Sequence, residues 1–468
     1  MADNTPNVLF FFTDDQRFDT VHAVGNSEIH TPNMDRLVAQ GTTFTHAHIP
    51  GGTSGAVCMP SRAMLHTGRT LFHLEGAGQG IPESHTMMGE YFQTCGYNTW
   101  GTGKWHNGSK AFARSFSDGA EIFFGGMDDH WNVPAFDYDP SGEYSGRLPQ
   151  CPDAFRSNEV KIRRGDHVSA GKHSSELFAE AAVDYLNGYD SDRPFFMYLA
   201  FMAPHDPRTM PQAYLDMYDP EKITLPPNFM GGHPFDNGDL KVRDEVLSGF
   251  PRDPCEVRRH LAEYYAMVTH LDAQMGRVLD VLEATGKARD TIVVFAGDNG
   301  LALGQHGLLG KQNMYEHSIR VPLVMCGQGV PKGERRSAHV YLLDVYPTLC
   351  ELLGVDIPSS VEGTSLVPAL NDATTRVRET LFAAYRQYQR MVKDGRFKLI
   401  EYVVDGRRTT QLFDLVADPW ERHNLVGEPA HVETLGKLRR DLIDWKEAWD
   451  DEESEWGKTF WDGYRKSG

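Results

Sequence analysis

Four short runs along the chain are apolar almost without interruption: NVLFFF (7–12), PFFMYLAF (194–201), TIVVFA (291–296) and VPLVM (321–325). Each is too short for a buried helix and predicts a strand covered on both faces. Between these runs the apolar positions fall at helical spacing. Thr31-Pro32 opens one helix with a capping residue and a proline at its first position, and Gly41 closes it after NMDRLVAQ. Over roughly 257–284, residues Leu261, Tyr264, Tyr265, Val268, Leu271, Met275, Val278, Leu279 and Leu282 make one stripe that ends before Gly286. Strands alternating with helices predict an α/β fold with a mostly parallel sheet flanked by helices.

After about residue 370 the pattern changes. RMVKDGRFKLIEYVVDGRRTTQLFDL has short alternating runs joined by Asp-Gly at 394–395 and 405–406, which predict antiparallel hairpins, and a final helix near 430–449 would cover them. The expected division is a catalytic unit, 1–370, and a smaller C-terminal antiparallel α+β domain, 371–468.

Composition narrows the class of function. With 40% hydrophobic and 24% charged residues, 45 glycines and 26 prolines, the chain is an ordinary globular protein rich in loops. A net charge of −19 argues against an electrostatic grip on nucleic acid or an anionic membrane, while leaving room for a small anion held by a local cationic cluster. Six cysteines, widely spread and with no CxxC pair, make a zinc site or disulfide scaffold a poor fit. MADNTPNVLFFFTDD has no basic leader, and FFMYLAFMA (195–203) is too short to span a bilayer. As written the chain reads as cytoplasmic; a trimmed leader would make it periplasmic or secreted.

Three of the apolar runs end in polar residues suited to chemistry: Thr13-Asp14-Asp15, Pro204-His205-Asp206 and Gly297-Asp298-Asn299-Gly300. Open parallel sheets bind ligands at the carboxyl ends of their strands, and carboxylates with an amide form a hard oxygen set for Ca²⁺ or Mg²⁺. Any one aspartate alone could as well cap a turn; two strands ending in Asp-Asp and Asp-Asn favour the cation. Cys58, considered alone, is more often an inert packed thiol than a reactive one. Its surroundings, CMPSRAMLHTGR, match C-x-P-S-R-x-x-x-x-T-G-R without departure.

That motif resembles the signature of the formylglycine-dependent (type I) sulfatases of the alkaline-phosphatase-like superfamily. NVLFFFTDDQR, GTGKWHNG, MAPHDP, FAGDNGLALGQHGLLGKQNMYEHSIRVPL and LFDLVADPWERHNL are similar, in order, to further elements of the same family. The resemblance implies an alkaline-phosphatase-like fold. It also implies that a dedicated formylglycine-generating enzyme oxidises Cys58 to an aldehyde whose hydrate attacks sulfur. Asp14, Asp15, Asp298 and Asn299, with an oxygen of modified Cys58, would hold the cation, Ca²⁺ ahead of Mg²⁺. Arg62 would stabilise the hydrated aldehyde, with Lys104 and His106 flanking it. His205 and Lys311 would bind sulfate and assist the leaving oxygen, and His106 would take the proton from the second hydroxyl as sulfate leaves. Without the resemblance, Lys104 and His106 read as solvated loop residues.

The expected activity is hydrolysis of a sulfate monoester, a carbohydrate sulfate first, then aryl or choline sulfate. A phosphonate monoester or phosphodiester hydrolase on the same scaffold is the first alternative. A non-catalytic binder of sulfated glycans is a remote one. Asn107 departs from the leucine of many relatives. The stretches 126–170 and 210–256 match the family poorly and are where substrate specificity is expected; Asp128, Asp129, His130 and Trp131 read equally as pocket candidates or as a solvated loop with one anchoring aromatic, and His317 as a rim candidate.

Overall fold

In the computed structural model, which describes residues 5–467, the first apolar run forms β1 (Asn7–Thr13). The first four residues, part of the N-terminal leader reading, lie outside that range. Val8, Phe10 and Phe12 join one buried apolar cluster, and Leu9 and Phe11 join another. An unbroken apolar run is what a strand with both faces covered requires. In chain order there follow α1 (Pro32–Gln40), β2 (Gly41–Phe44), α2 (Cys58–Thr67), β3 (Asn98–Lys104), β4 (Asp118–Phe123), α3 (Ser174–Gly188), β5 (Phe195–Ala200), α4 (Pro254–Ala284), β6 (Thr291–Gly297), β7 (Leu323–Cys326) and β8 (Glu334–Arg336). They build an eight-stranded sheet in the order β8-β2-β7-β6-β1-β5-β3-β4.

The sheet is parallel except at β7, which runs antiparallel to both β6 and β2. Residues 298–322, between β6 and β7, contain no long crossover helix, so the chain turns back beside β6. α4 spans 31 residues, capped by Asp253, and its apolar stripe packs with α1 and α3 on one face of the sheet. Among the described residues no helix is long and apolar enough to cross a membrane.

β3 is an interior strand that the sequence pattern does not reveal, because it reads NTWGTGK. Gly103 has φ +85, and a Cβ there would stand 1.9 Å from the Ala200 carbonyl oxygen. Close approach of β5 therefore demands the glycine that hides the strand.

Beyond residue 380, β9 (Leu381–Tyr385), β10 (Gln389–Lys393), β11 (Phe397–Val404) and β12 (Arg407–Asp414) form the antiparallel meander, followed by α5 (Val432–Ala448) and α6 (Glu455–Lys466). Asp405 and Gly406 both have positive φ, the two-residue hairpin geometry that Asp-Gly favours. Gly51–Gly52 adds to this sheet as a parallel partner of β9, so the chain enters the C-terminal sheet just before Cys58. The first unit of the sequence thus lends the smaller sheet an edge.

A buried charge cluster also joins the two sheets. Glu316 accepts two 2.9 Å hydrogen bonds from Lys393 Nζ and one of 3.2 Å from Lys398 Nζ, and Lys398 pairs with Glu421 at 2.7 Å. All four side chains are at most 7% exposed. Lys393 has no other carboxylate partner among the described ion pairs. Glu316→Ala would strand that ammonium, and the expected cost is about 3–5 kcal/mol of stability, read as a lower midpoint of urea unfolding.

Candidate active site

The register of the parallel strands brings the candidate residues to one edge. Thr13 at the end of β1 pairs with Gly297 at the end of β6, so Asp14-Asp15 and Asp298-Asn299 leave the sheet side by side. On the other flank Phe12 pairs with Ala200 and Ala200 with Gly103, which sets His205 and Lys104 beside them. Asp14 N–H donates to the Ala203 carbonyl at 3.1 Å, and Asp15 N–H donates to Asp298 Oδ1 at 3.0 Å.

Cys58 is the first residue of α2 and is buried. Two donors from its own helix reach β6: Ser61 Oγ to the Asp298 carbonyl at 2.6 Å, and Arg62 Nε to Asp298 Oδ2 at 2.9 Å. Arg62 also lies 3.4 Å from Asp14 Oδ2, donates to the Lys104 carbonyl at 3.1 Å, and sits over the Phe12 ring. Its guanidinium thus knits together the ends of β1, β3 and β6. Asn107, the departure noted in the sequence, holds the other side of Cys58, with Nδ2 donating to the carbonyls of Met59 at 2.9 Å and Gly78 at 2.5 Å.

Lys104 and Lys311 approach the carboxylates from different loops. Lys104 Nζ donates to Asp14 Oδ2 and to the Gly126 carbonyl. Lys311 Nζ lies 2.6 Å from Asp15 Oδ1 and 3.1 Å from Cys58 Sγ. Glu245 braces the Lys311 loop by accepting the N–H groups of Leu309 at 2.9 Å and Gly310 at 2.8 Å, while pairing with buried Arg252 at 2.5 Å. His205 Nδ1 is 2.8 Å from the Asp206 carbonyl, which fixes the proton there and leaves Nε2 facing Asp15 Oδ2 at 3.6 Å.

Burial and neighbouring charge set the protonation states. Burial works against the Asp14 carboxylate, but Lys104, His205, Arg62 and Lys311 overcome it and hold its pKa below the usual range. Asp298, buried and repelled by Asp14, is pushed up to about 7. Burial and the Asp14 charge push the Cys58 thiol up to about 12, so it stays protonated at neutral pH. His106 is pushed down to about 2, by burial first and then by Lys104 and Arg62, so its imidazole is neutral.

The donor set is compatible with a divalent cation. Asp14, Asp15, Cys58 and His205 bring ligand atoms within 4.8 Å of one another. Asp14 Oδ1 and Asn299 Oδ1 are buried acceptors with no hydrogen-bond partner, and an unpaired buried acceptor calls for a cation or a donor.

Cys58, His106, His205 and Lys311 all line one pocket of about 290 Å³. Arg62 and Asp298 lie behind it, fully buried. Of the two divergent stretches, Gly126 and Met127 reach the pocket from the first, and Val242, Arg243 and Asp244 from the second. The last three carried no motif and were missed by sequence reasoning; only the poor family match around them pointed to the region.

The pocket candidates at 128–131 and His317 are corrected by the structure. Asp128 pairs with Arg163, and Asp129 accepts from Asn132 Nδ2 at 2.6 Å and from the Trp131 N–H at 3.1 Å. His130 is fully buried, bonded through Nδ1 to Ser174 Oγ at 2.6 Å and through Nε2 to the His205 carbonyl at 3.0 Å, so it supports the His205 loop from beneath. His317 is 4% exposed and packs on Tyr315. These polar residues are spent on loop closure and packing.

A mostly parallel α/β sheet with carboxylates, lysines and histidines gathered at the carboxyl ends of its strands defines a hydrolase of alkaline-phosphatase-like fold. The family model described as Sulfatase matches residues 6–355, and one described as N-sulphoglucosamine sulphohydrolase, C-terminal, matches 304–448. The chain belongs to the sulfatase family, the hydrolases of sulfuric esters. An arylsulfatase of Clostridium perfringens is 28% identical, covering 94% of each chain. Among solved structures, one in complex with its substrate D-glucosamine-2-N,6-O-disulfate superposes with a TM-score of 0.78 at 22% identity, over 97% of this chain and 99% of its own. The phosphonate monoester hydrolase of Agrobacterium radiobacter gives a TM-score of 0.73 at 20% identity, over 95% and 96%.

Proposed function

We propose that the protein hydrolyses the sulfate monoester of a saccharide, using an aldehyde made from Cys58 and a divalent cation, calcium ahead of magnesium. The observation that carries this reading is Cys58 at the start of α2, buried, with Lys311 Nζ 3.1 Å from its sulfur and His106 and His205 lining the same pocket. A thiol whose pKa is pushed up to about 12 is not an activated nucleophile. Its C-x-P-S-R setting supports modification instead.

A hydrated aldehyde at this position supplies one hydroxyl to attack sulfur and a second whose deprotonation expels sulfate; a bound cation supplies acidification of the attacking hydroxyl and neutralisation of sulfate charge. Asp14, Asp15, Asp298 and Asn299 would hold that cation. The chain's own groups do the rest. Lys311, in the pocket lining, would offer an ammonium donor to the sulfate oxygens, and Lys104, buried behind it against Asp14, would add its positive charge, the kind of fixed electrostatic aid that is usually the largest catalytic contribution. His205 Nε2, turned toward the pocket by the Nδ1 bond to the Asp206 carbonyl, would assist the ester oxygen in the form that also carries a proton on Nε2. Neutral His106 is able to accept the proton of the second hydroxyl, and an anionic sulfate beside it raises its basicity. Arg62 fixes Asp298 and Asp14 in register.

The saccharide draws support from the relative solved with a sulfated glucosamine. A phosphonate monoester is the second reading, favoured by the superposition on a phosphonate monoester hydrolase. Both esters are monoanions, so pocket charge does not separate them. Parallel kcat/KM measurements on nitrophenyl sulfate, nitrophenyl phosphonate and monosulfated sugars will. The expected order puts a sulfated sugar first, and a preference for the phosphonate over every sulfate ester would replace this reading with the second.

A further inference from the structure

The part of the pocket that faces away from the reacting groups has its own chemistry. Arg243 is 44% exposed, yet both ends of its guanidinium are held: Nη1 donates to Asp206 Oδ1 at 2.8 Å and to Asp244 Oδ1 at 3.3 Å, and Nη2 donates to Asp206 Oδ2. Asp244 Oδ2 accepts from Gln312 Nε2 at 2.7 Å, and Gln312 is anchored in turn to the Gly55 carbonyl at 2.9 Å. Burial disfavours the charged forms of Asp206 and Asp244, but Arg243 beside the first and Lys311 beside the second hold both below the usual carboxylate range. Arg243 is therefore held between two carboxylates, Asp244 in the pocket lining and Asp206 outside it, and Lys311 adds a second cation to that lining. Both carboxylates already engage the guanidinium, so it is not a free partner for a second anionic group on the substrate.

A fixed arginine-aspartate pair suits a different ligand. A carboxylate oxygen keeps a free lone pair after one hydrogen bond, and a guanidinium has five N–H groups. Side by side, they complement a hydroxyl, which donates and accepts at once. Met127, 41% exposed, is the large apolar side chain of the lining, and among the described residues His106 and His205 are the aromatic rings that line the pocket. Quaternary ammonium esters are recognised by aromatic faces, which this rim lacks. At about 290 Å³ the space falls at the lower edge of ligand pockets, a size suited to a single sugar ring rather than an oligosaccharide.

We propose that Arg243 and Asp244 are specificity-determining residues that hydrogen-bond hydroxyl groups next to the ester on a single, otherwise uncharged sulfated sugar ring. This rests on the saccharide reading above and gives it a finer content.

The test uses the full-length, aldehyde-bearing enzyme. Positional isomers of monosulfated glucose and galactose are assayed beside nitrophenyl sulfate and glucosamine N,6-O-disulfate. The best monosulfated sugar is then compared with its deoxy analogue, lacking the hydroxyl next to the ester, in wild type, Asp244→Ala, Asp244→Asn, Arg243→Ala and Arg243→Lys. Thermal unfolding midpoints of each variant show that it is folded. The expected result is a loss of about 100-fold or more in the sugar-to-nitrophenyl ratio of kcat/KM in the alanine variants, since sites built for a hydroxyl discriminate steeply. The deoxy sugar should lose a similar factor in wild type and little more in Asp244→Ala, the signature of a direct contact.

Turnover of monosulfated sugars with an unchanged ratio in every variant overturns the inference alone. A preference for the disulfate that Arg243→Ala abolishes also overturns it, assigning Arg243 to a second anion. Turnover of nitrophenyl sulfate with no sugar sulfate accepted takes down the saccharide reading, and this inference with it.

Discussion

Cys58→Ala is expected to abolish sulfate-ester hydrolysis, a loss on the order of 10⁴-fold or more, as when other covalent nucleophiles are removed. The substitution removes a small side chain at the start of α2 whose polar contact is with Lys311 Nζ, so the fold should survive and the loss should be chemical. Cys58→Ser separates two possibilities. A serine hydroxyl can take a sulfo group once, but releasing it then needs attack by outside water, whereas a hydrated aldehyde carries the second hydroxyl that expels sulfate. The serine variant should therefore show at most a single stoichiometric release of alcohol. Peptide mass spectrometry across residue 58, run on the assayed sample, should find the aldehyde in active wild-type protein. Full activity with an unmodified thiol would contradict the whole scheme, because that thiol is held protonated by burial and by Asp14.

The reach of the sequence is clearest where backbone pattern and side-chain chemistry coincide. β1, β5 and β6 were legible because strands buried on both faces need continuous apolar runs, and their last residues announced the carboxylate cluster. The direction of β7 was not legible. An apolar run has no polarity, and direction was decided by the absence of a crossover helix in 298–322. β3 hid behind Gly101 and Gly103, glycines required by the close approach of Phe112, Phe116 and the Ala200 carbonyl. The same limit applied at the pocket. Asp128, His130 and His317 looked as available for chemistry as Asp244, because residue type does not say which polar groups folding consumes. His130 is used up by Ser174 and the His205 carbonyl, while Asp244 remains at the pocket.

Removing the cation is expected to have the second largest effect. Asp14, Asp15 and Asp298 converge in a buried space, and Asp298 is pushed up to about 7 by burial and by Asp14. Lys104, Arg62 and Lys311 offset part of the charge, yet Asp14 Oδ1 and Asn299 Oδ1 still lack partners. A hard cation is the ordinary partner for such oxygens. Chelation should therefore lower kcat/KM on the order of 10³-fold or more, since polarisation of the nucleophile and neutralisation of sulfate are lost together. It should also lower stability, independent of any assay of turnover. At a free concentration one hundred times the dissociation constant, a ligand of the native state adds about 2.7 kcal/mol. Calcium should restore both properties at lower concentration than magnesium, because three carboxylates and an amide from separate loops suit irregular coordination better than a strict octahedron. Asp298→Asn should eliminate the stability increment along with the activity. Because that substitution also loosens Arg62, Asp14→Asn provides the control: the two should share the lost calcium response whatever their differences in basal stability. If calcium stabilises both variants as much as wild type, the oxygen set assigned here is not its ligand shell.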